Sequence, residues 1–216
     1  MAIKGILFDF DGTLADTMHN HFLAWESAFR EFGIKIDKNT YYPLEGKRLI
    51  EIAEILAEKY GVAKTQAERI KKLKINHAAN GEKPKLYQGV EELIDKLKSR
   101  NIKIGIVTAS IKSFLEQKVD KDFLDKFDVI LTSDMYEKGK PAPDPYIQGR
   151  KELGIENDEC IVIENAPLGI KSAKAAGMYC IAIESTLDKT HLTEADLIVE
   201  KFQDLFQTES IKQILK

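Results

Sequence analysis

Ile3-Lys4-Gly5-Ile6-Leu7-Phe8-Asp9-Phe10-Asp11-Gly12-Thr13 decides the fold of this chain. An apolar run that ends abruptly in carboxylates reads as a buried strand delivering a functional loop. Working outward, alternation resumes after Lys85. Helices are expected over Gly89–Arg100, Asp144–Leu153 and Leu168–Ala176. Strands are expected over Ile102–Val107, Phe127–Leu131, Cys160–Ile163, Tyr179–Ile183 and Leu197–Val199. Strand–helix alternation on this scale implies an α/β fold, a doubly wound parallel sheet with a Rossmann-like core. Between the first strand and the rest lies a block of another character. Phe22, Trp25, Phe29 and Phe32 recur at helical spacing, as do Leu49, Ile52, Ala53 and Leu56, and a charged helix is expected over Lys64–Asn76. The organisation is therefore a core of residues 1–15 and 81–216 with an inserted α-helical cap over 16–80.

Composition sets the outer limits. The chain has 216 residues, enough for one α/β core and an insertion. Thirty-five acidic residues against 32 basic ones give a net charge of −3, which argues against a dedicated nucleic-acid binder. A hydrophobic fraction of 44% with 13 Gly and 6 Pro excludes disorder and fibrous repeats. Cys160 and Cys180 each sit in an apolar stretch, too few for a secreted disulfide scaffold. No apolar run approaches the length of a membrane span, and Asp9 arrives before a signal-peptide core could form. A cytoplasmic monomer without nucleic-acid or membrane partners is expected.

In sheets of this kind ligands sit beyond the carboxyl ends of the strands. Asp9 and Asp11, Thr108 and Ser110, Asp134 and Lys140, and Glu164 with Asn165 all fall there. Alternation along an extended chain puts Asp9 and Asp11 on one side, and Gly12 permits a sharp turn. Two close carboxylates repel unless a cation or shared proton intervenes, and Mg²⁺ suits hard carboxylate oxygens. One carboxylate can then attack phosphorus while the other exchanges a proton with the leaving oxygen. A bare Asp-x-Asp at a strand-to-helix turn serves equally as a capping pair. Thr108 or Lys140 taken alone would be an ordinary strand-end hydroxyl or a solvated lysine.

Taken together these segments resemble the haloacid-dehalogenase-like hydrolases. Asp9-Phe10-Asp11-Gly12-Thr13-Leu14 is similar to the first motif, Thr108 after Ile-Gly-Ile-Val to the second, and Lys140 in Gly139-Lys140-Pro141 to the third. Glu164-Asn165-Ala166-Pro167-Leu168-Gly169 is similar to the fourth. The resemblance implies that Asp9 is the nucleophile that becomes an aspartyl-phosphate and Asp11 the general acid–base. Thr108 would hydrogen-bond the transferring phosphoryl group, and Lys140 would neutralise it together with Asp9. Mg²⁺ would bind the Asp9 carboxylate, the Asp11 backbone carbonyl and the fourth motif, through Glu164 or Asn165. The family usually has an acidic residue where this chain has Asn165, and an amide oxygen carries no charge.

The position of the insert, between the first two motifs, resembles the cap that closes over small substrates in this family. Asp16-Thr17-Met18-His19-Asn20-His21-Phe22-Leu23-Ala24-Trp25 resembles the β-phosphoglucomutase branch. There the histidine matching His21 touches the acid–base aspartate, whereas His19 is expected at the surface. Gly46-Lys47-Arg48 resembles a substrate-reading loop, with Arg48 one residue closer to the glycine than usual. Ala109, Ser110 and Lys112 match positions that hold the phosphate. A cap lysine of that branch has no clean match: the spacing lands on Asn76, and Lys71, Lys72 and Lys74 read as a solvated face. The expected activity is Mg²⁺-dependent hydrolysis of a small phosphorylated metabolite, with a phosphosugar mutase as the alternative. A non-catalytic binding protein with a degraded metal site is the reading from another class. A phospho-accepting receiver domain fits poorly, because the chain carries an insert and lacks an acidic pair ahead of Asp9.

Overall fold

Ile6, Leu7 and Phe8 are each fully buried, as a strand covered on both faces requires. In the computed structural model, which describes residues 3–216, they form β1 (Gly5–Phe8) at the middle of a six-stranded sheet. Its other strands are β4 (Lys103–Val107), β5 (Val129–Leu131), β6 (Cys160–Glu164), β7 (Tyr179–Ile183) and β8 (Leu197–Val199). The order is β5-β4-β1-β6-β7-β8 and every pairing is parallel. Gly5 is in register with Lys103 on one side and Cys160 on the other. The chain therefore winds outward from β1 in both directions, which leaves a crevice beyond its carboxyl end. The first strand is shorter than the apolar run suggests, because Asp9 and Phe10 already belong to the turn.

Alternation divides the apolar side chains between the faces. Ile6, Phe8, Ile104, Ile106, Ile161 and Ile163 join one cluster, which includes residues of α5 (Val90–Ser99), α6 (Lys112–Lys118), α7 (Lys121–Leu124) and α10 (Glu209–Ile214). Leu7, Val107, Val162 and Cys180 face the other cluster, with α8 (Asp144–Leu153) and α9 (Pro167–Ala175). Cys160 and Cys180 are buried and unpaired. The helices α6 and α7 lie where no helix is expected from the sequence. Among the described residues no helix is long and apolar enough to cross a membrane.

Between β2 (Ala15–Asp16) and β3 (Lys85–Leu86) come α1 (Met18–Arg30), α2 (Lys38–Tyr41), α3 (Leu49–Lys59) and α4 (Ala67–Ala79). The two short strands pair antiparallel, Ala15 opposite Leu86, so the chain leaves and re-enters the sheet layer at one place. These helices have a separate core around Trp25, Phe29, Tyr41, Ile52, Leu56 and Ile70, all buried. Phe22 and Phe32 are only partly buried, at the margin of the same stripe. Deleting the Trp25 side chain would leave a cavity confined to this cluster. Trp25→Ala is expected to cost about 3–5 kcal/mol. The loss should appear as faster hydrogen exchange across α1, α3 and α4, with the six-stranded sheet still protected. Equal loss of protection in the sheet would mean that the two cores unfold as one.

Candidate active site

Gly12 turns the chain at the end of β1 with φ +84°, a conformation open to glycine. A side chain there would also collide with Asn165, since a Cβ would stand 2.1 Å from its Nδ2. The turn leaves Asp9 buried and Asp11 part-buried. Lys140, also buried, reaches between the strand ends. Its ammonium donates to Asp9 Oδ1 at 2.7 Å, Glu164 Oε1 at 2.6 Å and the Val107 carbonyl at 3.1 Å. Burial alone would lower its pKa, but the two carboxylates more than offset that and hold the ammonium firmly charged. Burial pushes the Asp9 carboxyl well above the usual carboxylate range, and Lys140 offsets only part of that rise.

Glu164 is fully occupied. Tyr146 donates to Oε1 at 2.8 Å, and the backbone amides of Asn165 and Ala166 donate to Oε2 at 2.9 and 3.2 Å. Gly169 makes room for this carboxylate: a Cβ there would lie 1.7 Å from Oε1. Glu164 therefore orients Lys140, and it also lines the small cavity beside Asp9 and Asn165. Asn165 is pinned by Thr13, which donates to Oδ1 at 3.2 Å, and by its own donation to Thr186 at 3.1 Å.

Asp11 faces the helical layer. His21 lies with Nε2 2.9 Å from Asp11 Oδ1, while Ser110 donates to Oδ2 at 2.8 Å and Thr108 at 3.3 Å. Behind the histidine, Lys74 Nζ is 3.1 Å from Nδ1. A lysine that donates to Nδ1 leaves the proton of a neutral imidazole on Nε2, directed at Asp11. Burial raises the Asp11 pKa, but His21 and Ser110 outweigh it and hold the carboxyl well below the usual range. Burial lowers the Lys74 pKa, against the pull of Glu45 and Asp11.

The space beside Asp9 and Asp11 is small. A cavity of about 10 Å³ is bounded by Asp9, Asp11, Glu45, Glu164, Asn165 and Ala109, among others, the scale of one water or one ion. A second, of about 20 Å³, is lined by Asp11, His21, Glu45, Lys47, Lys74 and Ser110, among others. The structure thus brings together Asp9, Asp11, His21, Thr108, Ala109, Ser110, Lys140, Glu164 and Asn165.

Two expected substrate contacts lie elsewhere. Lys112 is exposed, opens α6 and pairs with Glu116 at 3.7 Å, and it lines neither of the two cavities beside Asp11. Arg48 donates to the Tyr136 main-chain carbonyl of the core, and Lys47 rather than Arg48 borders the cavity. Lys74 corrects the expectation of a solvated face. It shares a buried stripe with Ala67 and Ile70 at i, i+3 and i+7, a pattern readable in the sequence. Glu45, Tyr136 and Tyr146 carried no comparable signal.

A family model described as haloacid dehalogenase-like hydrolase matches residues 6–183. The chain belongs to the haloacid dehalogenase-like hydrolases. It is 30% identical over 208 residues to validoxylamine A 7'-phosphate phosphatase of Streptomyces hygroscopicus subsp. limoneus, covering 94% of this chain and 95% of that one. It is 29% identical over 214 residues to β-phosphoglucomutase of Bacillus subtilis, covering 94% and 92%. The solved β-phosphoglucomutase of Clostridium difficile superposes with a TM-score of 0.83 at 28% identity, covering 99% of this chain and 97% of that one. This haloacid dehalogenase-like protein is accordingly an enzyme, a phosphatase or a phosphosugar mutase.

The donors around the smaller cavity fit a Mg²⁺ ion held partly by water and substrate: one carboxylate of Asp9, the Asp11 carbonyl and the Asn165 amide oxygen. Among the described residues no three His, Cys, Asp or Glu side chains converge as a dedicated metal cage. Asn165→Asp adds charge at the cavity wall and should lower half-saturating Mg²⁺ several-fold in an activity titration. An unchanged or higher value would remove Asn165 from the ligand set.

Proposed function

We propose that this enzyme hydrolyses a small phosphorylated metabolite with Mg²⁺, through an aspartyl-phosphate on Asp9, beneath a helical cap formed by residues 16–80. The observation that carries the reading is Asp9 buried beside Lys140, with Asp11 two residues on and held by His21. In the first step the Asp9 carboxylate attacks phosphorus and the bond to the leaving oxygen breaks. That oxygen takes a proton from Asp11. In the second step water attacks the phosphorus of the acyl phosphate, giving its proton to Asp11 and releasing inorganic phosphate and free Asp9. Held ionised by His21, Asp11 is already in the form that accepts a proton. An arriving phosphate brings like charge and raises its pKa toward the acid form.

Phosphoryl transfer asks mainly for in-line positioning and charge compensation. Lys140 supplies a cation that burial among carboxylates keeps protonated. Thr108 and Ser110, now on Asp11, have hydroxyls that can turn to phosphoryl oxygens. Mg²⁺, when bound, neutralises phosphoryl charge. The small volume of the two cavities beside Asp9 and Asp11 supports closure that excludes bulk water from the carboxylates.

The Lys74–His21–Asp11 contacts favour a second reading, a phosphosugar mutase in which a sugar hydroxyl replaces water as acceptor. A turnover screen with Mg²⁺ over phosphorylated metabolites, including β-glucose 1-phosphate with a bisphosphate primer, separates the two by product. Asp9→Asn should abolish turnover without unfolding the chain, because an amide is a poor nucleophile of nearly the same shape. Retention of roughly a tenth of wild-type activity would sink the nucleophile assignment. Asp11→Asn should reduce turnover by about 10²–10⁴-fold, as for loss of a general acid–base.

A further inference from the structure

The loop Glu45–Arg48 is where the helical layer lies on the core. Gly46 takes φ +92°, and a Cβ there would stand 3.5 Å from both Lys140 Cδ and Leu168 Cβ. Two residues on, the Arg48 guanidinium donates to the main-chain carbonyl of Tyr136. The Arg48 stem lies along Gly139, where a Cβ would be 3.5 Å from its Cγ. Tyr136 is buried, and its hydroxyl donates to the Thr108 carbonyl at 2.8 Å. Four residues after Tyr136 comes Lys140, whose ammonium holds Asp9. One cation of the helical layer therefore grips the segment that carries Lys140 and braces the backbone of Thr108.

A guanidinium committed to a core carbonyl is not free to fork onto a phosphate. Its grip is also incomplete, for Arg48 Nε is buried without a partner. A half-satisfied fork gives a contact that opens at small cost, since both partners regain water. We propose that Arg48 is a positioning residue that latches the closed cap to the Tyr136–Lys140 segment, so that Thr108 and Lys140 reach their working placement only on closure. This rests on the proposed contact of Thr108 and Lys140 with the phosphoryl group. It assigns Arg48 to reading the core, not the substrate.

The test compares wild type, Arg48→Ala and Arg48→Lys in two ways. The first is hydrogen exchange of the free enzyme across Gly46–Arg48 and Tyr136–Lys140. The second is kcat/KM with an aryl phosphate and with a sugar bisphosphate. A latch predicts faster exchange in both segments of Arg48→Ala, with the buried face of α3 unchanged. It predicts an equal loss of kcat/KM, about tenfold or more, on both substrates. Arg48→Lys, which keeps one donor for the carbonyl, should recover part of both losses. A loss confined to the bisphosphate would make Arg48 a substrate reader and overturn the latch. Unchanged exchange in Arg48→Ala would overturn it as well. Failure of the wild type to turn over any phosphoester would count against the proposed function alone, because the exchange comparison still reads the latch.

Discussion

A lysine ammonium buried between two carboxylates holds the core of this enzyme in its working shape. Lys140 has three donors, and Asp9, Glu164 and the Val107 carbonyl take one each. These acceptors stand at the ends of β1, β6 and β4, so one cation ties three neighbouring strands where the sheet opens. A buried pair is expensive to desolvate, and only complete hydrogen bonding offsets that. Completeness is what Tyr146 and the amides of Asn165 and Ala166 provide for Glu164. Without Lys140 two carboxylates would remain buried and uncompensated, an outcome that costs about 3–5 kcal/mol for a broken buried pair.

A second charged chain faces the first across the crevice. Asp11 is held by His21, which is backed by Lys74 from the helical layer. Asp9 and Asp11 thus each have a positive or proton-bearing partner, one supplied by the core and one by the insert. The consequence is mechanical as well as electrostatic. The insert cannot move away without taking His21 and Lys74 from Asp11, so the charge balance at Asp11 depends on where the insert lies.

The parts legible in the sequence were those fixed by local geometry. A strand end followed by polar residues brings Asp9, Thr108 and Glu164 to one edge of the sheet, because a parallel sheet aligns its carboxyl ends, whereas Lys140 lies well beyond the end of β5 and was legible only through its motif. Lys74 was half legible: its stripe with Ala67 and Ile70 marks a buried position, but the charge pattern of α4 pointed to solvent. Arg48, Glu45 and Lys112 were not legible, since their surroundings depend on how the Glu45–Arg48 loop docks and where α6 begins. The orientation of Glu164 toward Lys140 depends on Tyr146, from a helix well before it in the chain.

The neutral Asn165 follows from the same balance of charge. Asp9 and Glu164 share one ammonium, so that trio already carries a net negative charge beside the small cavity. A further carboxylate at position 165 would have no cation of its own: the groups nearest it are Thr13 and Thr186. An amide accepts from one threonine and donates to the other, which a carboxylate cannot do. In the metal-free protein the amide is therefore the less costly side chain, and it keeps the Gly12 turn packed against the fourth motif. Any excess negative charge at Asp9 and Glu164 is of the sign that a divalent cation would offset, and no fully acidic cage is needed for that.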